Sequence, residues 1–544
     1  MASQVSPGVV VNEFDFSDYA ERISTAICGV VGWAVKGPAE TLTLVTNERQ
    51  LIETFGPPPV PTSTTVAGTF GQPAKTVYYA KGLVPSAIQY LRQGNQLYVV
   101  RVVKVGTGTT TTTVITSAPA TPTITLTATS AGTWQSATYA NVTVKIEAGG
   151  QSGTNANYFK LTVYEKGVAR EVFDNLLAPP NQLPTPPTNP GDPANEISLR
   201  MNGVSAYFTV TTFNTGRPLD GTYASGTGSG ATTGNDGVPT TAADYYASAT
   251  SGLNLFSNAD TVDVNILMAP GVATEINDTT RTVETQLTTL AAARGDCIAL
   301  VDPPFSVQTP TTAKDFANAT GSFSGNSLNS SYSAYYWPWV EVYDNYNQKS
   351  VWVPPSGICA GVYAYNDRTT DTWWAPAGFT RGRPSSALSV WYNTTLGERE
   401  SLYGPGQVVN PIVNFPGDGI TVWGQKTTQR LSTALNRVNV RRMLNYAKKI
   451  ISTSIRVLVF EPNDEFTWRR FVNLVNPVLQ TIKDARGLYE FKVNCDATTN
   501  TPTLIDQNQM RGIILMKPTK AAEVITVDFT LLSTGAQFNE FVQG

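Results

Sequence analysis

The side chains that most often carry enzymatic chemistry are missing from this sequence or stand too far apart to act together. The chain contains no histidine, which excludes imidazole acid–base catalysis, Ser–His and Cys–His nucleophile pairs, and zinc sites that need imidazole. Its four cysteines, Cys28, Cys297, Cys359 and Cys495, are widely separated and form no C-x-x-C pair. This spacing predicts reduced cysteines that pack as small apolar side chains. We therefore expect no metal site, no cofactor and no enzymatic activity.

Three short motifs could still suggest chemistry, and each has a simpler structural interpretation. Asp302 follows a predicted strand, a place where catalytic acids often lie in α/β layers, but without a companion nucleophile it is better explained as a turn former before Pro303-Pro304. Gly417-Asp418-Gly419 lacks the acidic ligands of an EF-hand loop and predicts a simple turn. Arg294-Gly295-Asp296 spells a cell-adhesion tripeptide, yet a glycine there is a normal helix stop. Neither a phosphate-binding loop nor a dinucleotide-binding fingerprint is present.

Basic side chains are concentrated in one stretch that contains no acidic residue. Residues 426–451 also lack glycine and proline, which predicts one long helix. At 100° per residue, four basic side chains lie within about 20° of one line on that helix. This basic stripe consists of Arg430, Arg437, Arg441 and Lys448, whereas Arg442 falls in the apolar arc. A solvated helix face explains such a stripe, and so does a docking surface for an acidic partner, either nucleic acid or protein.

Both terminal regions contain segments with strand character. Pro7-Gly8 precedes a β-branched triplet followed by acidic residues, and apolar residues alternate with polar ones about a dozen residues before the other end. Each segment could complete the sheet of its own chain, or it could pair with another subunit through main-chain hydrogen bonds. The N-terminal strand comprises Val9, Val10, Val11 and Glu13, and the C-terminal strand comprises Val524, Ile525, Val527, Phe529 and Leu531.

Composition favours a β-rich protein whose surface is covered by neutral polar groups or by other subunits. The 544 residues include 38 Lys and Arg and 41 Asp and Glu, so 15% are charged and the net charge is −3, whereas about 25% is usual. This balance argues against a nucleic-acid-binding protein. The N-terminus lacks the pattern of a signal peptide, and no apolar run reaches 18 residues, so we expect no membrane insertion and synthesis in a cytoplasm.

Composition and periodicity divide the chain into six predicted segments. Threonine, glycine and proline tracts between short alternating runs predict an inserted β-sandwich. Strands at 262–270 and 297–301 flank a helix at 280–294, which predicts a parallel pair and an α/β layer. The segments are an N-terminal arm (1–20), the first part of the core (21–105), the inserted β-sandwich-like domain (106–245), the α/β domain (246–425), a C-terminal α+β domain (426–520) and a C-terminal arm (521–544).

Local patterns predict several elements within these segments. Strands are expected at 27–33, 42–45 and 96–103, and helices at 46–55 and 87–92. A helix over 461–486 is the clearest, because its apolar side chains form one continuous stripe and Asn463 or Asp464 can cap it. Strands are expected to follow at 489–495 and 512–516.

Short motifs in a fixed order along the chain resemble those of contractile phage-tail sheath proteins. They cover roughly 1–60 and 250–544, whereas 106–240 contains none. Two motifs depart from the family pattern, since the family often has Ala-Arg-Thr-Asp at 364–367 and Trp-Gly-Ala-Arg-Thr at 423–427. The motifs are Pro7-Gly8-Val9 with Glu13, Gly32 with Gly37-Pro38-Ala39, Tyr336-Trp337-Pro338-Trp339-Val340, Val353-Pro354-Pro355-Ser356-Gly357, Ala360-Gly361-Val362-Tyr363, Asn366-Asp367, Trp374-Ala375-Pro376-Ala377-Gly378, Asn410-Pro411-Ile412, Val422-Trp423-Gly424-Gln425-Lys426-Thr427, Phe460-Glu461-Pro462-Asn463-Asp464 with Trp468, Val493-Asn494-Cys495-Asp496, and Pro518 with Glu523.

The resemblance implies a mixed α/β and β multidomain fold. Its central α/β layer would resemble subtilisin without the catalytic residues, the 106–245 insertion would face outward, and the C-terminal α+β domain would face an inner tube. Extended N- and C-terminal arms would pair with the sheets of neighbouring subunits.

The resemblance also implies a structural role in the virion, after assembly in the host cytoplasm. The chain would form hexameric rings stacked helically around a tail tube, with the tube, baseplate and tail terminator proteins as partners and no direct contact with nucleic acid. Contraction would drive the tube through the host envelope. We assign the basic stripe to the tube contact as a hypothesis, because salt-sensitive charge pairs can hold a state and still release it.

Two other classes of function remain open from the sequence. A virion surface protein could bind a host receptor or glycan through the 106–245 domain. A degenerate serine hydrolase with a mechanism that avoids histidine is the third possibility.

Overall fold

The computed structural model describes residues 26–66, 75–104, 110–117, 121–153, 156–177, 197–213, 217–228, 231–232 and 234–527. The strands are, in chain order, β1 (Cys28–Gly32), β2 (Leu42–Val45), β3 (Thr62–Val66), β4 (Lys75–Tyr79), β5 (Leu97–Arg101), β6 (Thr112–Ser117), β7 (Thr121–Ala128), β8 (Val142–Ala148), β9 (Tyr158–Glu165), β10 (Val168–Leu177), β11 (Phe208–Phe213), β12 (Gly221–Ala224), β13 (Ile266–Met268), β14 (Ile298–Val301), β15 (Ser333–Trp337), β16 (Val340–Asp344), β17 (Lys349–Val353), β18 (Ser389–Val390), β19 (Val409–Phe415), β20 (Gly419–Val422), β21 (Leu488–Asn494) and β22 (Ile513–Pro518).

The helices connect these strands and cover the sheets. They are α1 (Glu48–Phe55), α2 (Val84–Leu91), α3 (Ile197–Met201), α4 (Ala243–Tyr246), α5 (Val272–Glu275), α6 (Thr282–Arg294), α7 (Pro310–Asn318), α8 (Pro355–Thr369), α9 (Gly378–Arg381), α10 (Leu396–Tyr403), α11 (Val438–Ile455), α12 (Glu465–Asp484) and α13 (Pro502–Asp506), with 3₁₀ turns at Gly252–Phe256, Ala434–Asn436 and Arg456–Leu458.

An eight-stranded mixed sheet, called the central sheet below, lies between residues 28 and 422. Its order is β2-β5-β1-β13-β14-β15-β19-β20. The six inner strands run parallel, and β2 and β20 pair antiparallel at the two edges. The predicted strand–helix–strand unit is confirmed, because β13 and β14 pair in parallel on either side of α6 along the chain.

Both faces of this sheet are buried, since alternate residues of its strands enter different cores. Val30 of β1 belongs to one apolar cluster together with Ala87 of α2 and Ile358 of α8. The next residue, Val31, belongs to a second cluster that includes Leu287 of α6. Burial on both faces explains why the inner strands are short continuous apolar runs rather than alternating ones.

Two antiparallel sheets between residues 112 and 224 share a core of their own. One has the order β10-β9-β8-β12 and the other β11-β7-β6. Leu126 from the smaller sheet and Val144 and Leu161 from the larger one belong to the same apolar cluster. Strand β8 alternates buried and half-buried side chains along most of its length, as expected for a strand with one covered face. The limits of the six predicted segments stay predictions.

The chain leaves the central sheet for these two sheets and returns to it at one point. The backbone N–H of Lys104 donates to the carbonyl of Gly237 at 2.7 Å. Beside this point Arg101, at the end of β5, is fully buried, and burial lowers the pKa of its guanidinium to about 10. Its side chain ties the core to the excursion by donating to three carbonyls, those of Gly37, Ala131 and Asp236, at 2.7, 2.9 and 3.3 Å.

A third sheet, in the order β18-β16-β17-β4-β3, contains a cluster of aromatic side chains. Phe305 stacks on Tyr79 with ring centroids 4.9 Å apart and meets the rings of Trp339 and Trp391 edge-on. Two buried indoles hold the loop between β14 and α7, because Trp337 donates to the carbonyl of Val307 and Trp339 to that of Pro303.

Residues from Pro462 onward form a separate compact unit. The predicted helix is confirmed as α12, whose N-cap Asp464 accepts from the backbone N–H of Thr467 and whose chain continues through Pro477. Its buried side chains include most of the predicted stripe. The unit also contains the two predicted strands, β21 and β22, which the structure shows as an antiparallel pair.

The predicted helix over 426–451 is wrong in its first 12 of 26 residues. The helix in this region, α11, begins at Val438, since Arg437 has extended backbone angles of −117° and 134°. The preceding residues are held instead by long-range bonds, such as that from the buried Thr428 N–H to the carbonyl of Ser333 and the isolated bridge between Lys426 and Arg437. The absence of glycine and proline permits a helix, but here side-chain and backbone partners far along the chain determine the conformation.

Candidate functional site

The basic stripe does not exist as a surface in this structure. Arg430 lies before the helix and donates to the carbonyls of Leu328 and Ala317 at 3.2 and 3.0 Å. Arg437 is half-buried at the N-cap of α11 and bonds to its neighbour Asn436. The hypothesis of a four-residue helical stripe is therefore wrong, because its first two members precede the helix.

The two remaining members of the stripe differ in exposure. Arg441 is 3% exposed, bonds to the hydroxyl of Ser331 and lies 3.9 Å above the ring of Tyr332. Burial lowers the pKa of this guanidinium. Lys448 is exposed on α11. With only one solvated cation left, the assignment of these four residues to a tube contact loses its geometric basis.

A buried ion pair explains why Arg442 stands apart from the other basic residues. Its guanidinium meets the carboxylate of Asp367 on α8 in two contacts of 2.9 and 2.5 Å, and the side chains are only 4% and 2% exposed. The same guanidinium stacks 4.6 Å from the ring of Tyr363, whose hydroxyl is 2.7 Å from that of Tyr336. Three residues of the sequence motifs, Tyr336, Tyr363 and Asp367, thus meet Arg442 in one network that joins β15, α8 and α11.

Sequence reasoning assigned these motif residues to a family without assigning them a role. The available signal was the placement of Arg442 in the apolar arc, since an arginine there requires a buried counter-charge. Nothing in the sequence pointed to Asp367 as that partner, because 75 residues separate the two in the chain.

The structure corrects the interpretation of Asp302 as a simple turn former. Asp302 is 3% exposed and accepts from the backbone N–H of Ser356 at 2.8 Å and from its hydroxyl at 2.5 Å. These groups belong to the first turn of α8, where unpaired N–H groups favour an anionic acceptor. Burial nevertheless raises the pKa of Asp302 to about 7. Since carboxylate and hydroxyl are both enclosed, the pair joins β14 to α8 and offers no surface to a substrate.

Two further carboxylates are buried near this layer. Glu275 accepts from the backbone N–H of Gly82 at 2.5 Å, and burial raises the pKa of Glu275 to about 7. Glu284 on α6 has an oxygen without a hydrogen-bond partner, and burial raises the pKa of Glu284 to about 8. Within the described ranges, no three cysteine, aspartate or glutamate side chains converge as metal ligands.

The C-terminal unit contains a short sheet and part of the predicted C-terminal arm. Its sheet has only the two strands β21 and β22 among the described residues, and α12 packs against β21. Residues 521–527 belong to no strand, and the side chains of Val524, Ile525 and Val527 are 86%, 80% and 64% exposed. The other predicted arm positions, Val9, Val10, Val11, Glu13, Phe529 and Leu531, lie outside the described residues.

In the part of the chain that the structure describes, no helix has both the length and the apolarity needed to cross a bilayer.

Two family models match the chain and together cover more than half of it. The phage tail sheath protein central domain matches residues 240–428, and the phage tail sheath C-terminal domain matches residues 432–531.

Curated relatives with the description tail sheath protein agree with these matches. The protein of Vibrio phage KVP40 is 31% identical over 409 residues, which cover 72% of this chain and 57% of the relative. That of Enterobacteria phage T4 is 33% identical over 296 residues, which cover 53% of this chain and 45% of the relative. The chain thus spans about half the length of the curated relatives it matches.

Solved structures share the fold at low sequence identity. The sheath tail protein from Desulfitobacterium hafniense superposes with a TM-score of 0.58 at 11% identity, covering 94% of this chain and all of the other. A sheath tail protein from Listeria innocua gives 0.53 at 11% identity, covering 91% of this chain and 95% of the other. Both likenesses concern the fold alone.

Proposed function

The chain belongs to the phage tail sheath protein family, and from that membership we propose that it is a structural subunit of a contractile tail sheath. In this function it polymerises as stacked rings around an inner tail tube and contracts to drive the tube through the host envelope. The support is the match of two successive sheath domains over residues 240–531. Contraction moves whole subunits between two assembled states.

The arms link the subunits in this proposal. The strands around Val9–Val11 and Val524–Leu531 pair with sheets of neighbouring subunits, and the two-stranded sheet β21–β22 is the acceptor. The observation that carries this step is the combination of a two-stranded sheet with an adjacent unpaired run of exposed apolar side chains. Strand addition satisfies the open backbone groups on both partners and needs no change in either core.

The remaining assignments follow from family membership. The partners are further copies of the chain in hexameric rings, the tail tube protein, the baseplate and the tail terminator, in a virion assembled in the host cytoplasm. The central sheet corresponds to the subtilisin-like layer expected for the family. Its role is structural and not enzymatic, which is supported by the missing histidines and by the enclosure of Asp302. No observation favours receptor binding by residues 106–245.

Negative-stain electron microscopy of the purified full chain and of a variant lacking residues 1–16 tests the proposal. We expect rings or long tubes from the full chain, with or without added tube protein, and their loss on truncation. A second variant, I525D/V527D, is expected to lose polymers as well, because charges replace the apolar face of the strand. The matched control is V168D/V172D on β10, where the two valines are 56% and 57% exposed.

Two results would count against it. Tubes that persist in both arm variants would refute the arm mechanism. Monomers of the full chain in the presence of tube protein would refute the sheath function itself.

A further inference from the structure

An exposed cluster of aromatic rings lies at one edge of the central sheet. Phe379 of α9, Phe415 at the end of β19 and Trp423 just after β20 contact one another, with ring centroids 5.3, 5.0 and 4.7 Å apart. Phe379 and Trp423 are each 38% exposed. Because large aromatic side chains are normally covered, a patch of three such rings indicates an interaction surface.

Two arginines border these rings, and a third lies on the same helix as Phe379. The guanidinium of Arg383 lies 5.8 Å from the ring of Phe379, and that of Arg399 lies 5.3 Å from the ring of Phe415. Arg381, on the same helix as Phe379, lies 4.8 Å from the ring of Trp374. We call these three arginines with Phe379, Phe415 and Trp423 the arginine–aromatic patch. Arginine and tryptophan are the residues most enriched where binding energy is concentrated.

Neighbouring groups satisfy the charge of the patch only in part, since Arg381 donates to the carbonyl of Ala375 at 3.2 Å and Arg399 to that of Thr394 at 2.5 Å. Asp418 lies 3.7 Å from Arg383, but both side chains are at least half exposed, so solvent screens the pair. Glu398 is occupied by the hydroxyl of Tyr392 at 2.6 Å and by the N–H of Thr395 at 2.8 Å. The patch therefore suits a partner that brings both aromatic rings and carboxylates.

A segment of this same sequence has that chemistry. Residues 14–21 read FDFSDYAE and contain three aromatic and three acidic residues without a basic one. We propose that residues 14–21 of a second copy of the chain dock on the arginine–aromatic patch. The aromatic side chains pack against the exposed rings, and the carboxylates of Asp15, Asp18 and Glu21 pair with the arginines.

The geometry of the central sheet favours a second copy over the same chain. Ladder partners place Cys28 level with Ile266 and Ile298, and Tyr335 level with Val409. Counting along these registers, Cys28 is level with position 406, and Phe415 lies 415 − 406 = 9 residues farther on.

These registers convert into a distance that the segment has to cover. Nine residues at about 3.3 Å and four strand steps at about 4.8 Å give a straight-line separation of roughly 35 Å between Cys28 and Phe415. Asp18 precedes Cys28 by ten residues, which span at most about 35 Å when fully extended. Within one chain, Asp18 could reach Phe415 only if the ten residues before Cys28 were fully extended along a straight line through the sheet. A neighbouring copy is not subject to this limit.

This inference rests on the proposed self-assembly, and photo-crosslinking in assembled polymers tests the two separately. The full chain carries p-benzoylphenylalanine in place of Phe379 and is irradiated after electron microscopy has shown tubes or rings. We expect covalent dimers, with the crosslinked peptide containing residues 14–21. The matched control carries the same group in place of Val172, which is 57% exposed on β10, and should give no crosslink to that peptide.

Charge variants then test the recognition chemistry. D15N/D18N/E21Q should lower the yield of the crosslink roughly tenfold, since the three proposed ion pairs are lost together. The variant R383E should lower it as well, and adding D18R to R383E should restore part of the yield. Polymers whose Phe379 crosslinks map elsewhere, arise within a single chain or do not form would overturn the docking and leave the sheath function standing. If the chain forms no polymers under any condition, the sheath function and this inference both fail.

Discussion

Replacing Glu284 with glutamine should stabilise the protein in alkaline solution and have much less effect in acid. The carboxyl group of Glu284 is buried on α6 with one oxygen unpaired. Burial raises the pKa of Glu284 from 4.5 to about 8, with smaller contributions from Asp278 and Asp302, while the Arg281 guanidinium opposes the shift. Between pH 4.5 and pH 8 the carboxyl group of Glu284 holds a proton in the folded state and has lost it in the unfolded state. The free energy of unfolding therefore falls as pH rises through this range.

The size of the effect follows from this difference in pKa. A difference of one pKa unit corresponds to about 1.4 kcal/mol. Between pH 5 and pH 9 the contribution of Glu284 to the free energy of unfolding falls by the equivalent of about 2.8 pKa units, which is roughly 4 kcal/mol. Glutamine does not titrate, so E284Q removes this slope. Any pH-independent cost of burying the amide cancels when the two pH values are compared.

Urea unfolding followed by tryptophan fluorescence measures the effect. The difference in unfolding free energy between E284Q and the wild type should be about 4 kcal/mol larger at pH 9 than at pH 5. The control E400Q changes an exposed residue of α10 and should give the same difference at both pH values. An E284Q difference that does not change with pH would refute the reasoning, as would a wild type that gains stability between pH 5 and pH 9.

Two further predictions concern packing in the central layer. D367A leaves the guanidinium of Arg442 buried without its partner, so we expect a loss of about 3–5 kcal/mol in thermal or urea unfolding; a loss below about 1 kcal/mol would show that the pair is solvated. G357A should destabilise by more than about 1 kcal/mol, because a Cβ at Gly357 would lie 2.5 Å from the carbonyl oxygen of Ser86 where α8 crosses α2, and such overpacking strains both helices. Its control is G397A on α10, where a Cβ meets no atom within 4 Å and alanine should be neutral or stabilising; equal effects of the two changes would contradict this account.

Elements with local signals could be predicted from the sequence. Helix α1 begins at Glu48, within two residues of the predicted start at 46, and the side chain of its N-cap Asn47 accepts from the N–H of Gln50, as is usual for an asparagine there. Helix α12 has both a cap and a long apolar stripe, so its existence and its cap Asp464 agree with the prediction, although it begins at Glu465 and not at 461. The parallel pairing of β13 with β14 follows from the length of the crossover between them. In each case residues close in sequence provide most of the determining interactions.

The region from 426 to 437 shows why other elements could not be predicted. Lys426 is 7% exposed, and its ammonium group bonds to the carbonyls of Tyr403 and Gly404. Its backbone N–H bonds to the side chain of Asn410. These partners are more than ten residues away, so helical periodicity contains no information about them. A charge pattern read as an exposed stripe therefore concealed residues that stabilise the core.

The parts of the candidate site also differ in whether the sequence predicts them. The arms were predicted from alternation and from their place in the chain, and their pairing stays a prediction. The arginine–aromatic patch combines α9, the end of β19, the residue after β20 and α10, which are separated by up to 44 residues between Phe379 and Trp423. Only the folded sheet edge brings these rings together, and no periodic pattern in the sequence indicates it.

The 132 residues from 105 to 236 can be regarded as an exchangeable module, because a hydrogen bond joins Lys104 and Gly237 on either side of them. Because the chain departs and returns at one point, the central sheet keeps its strand order whatever lies between. The entropy of closing a loop grows only with the logarithm of its length, so replacing 132 residues by ten alters the closure cost by roughly 2 kcal/mol. Recombination can thus exchange this segment in one event, and a foreign domain can be inserted at this junction if the bonds of Arg101 to Gly37, Ala131 and Asp236 are replaced.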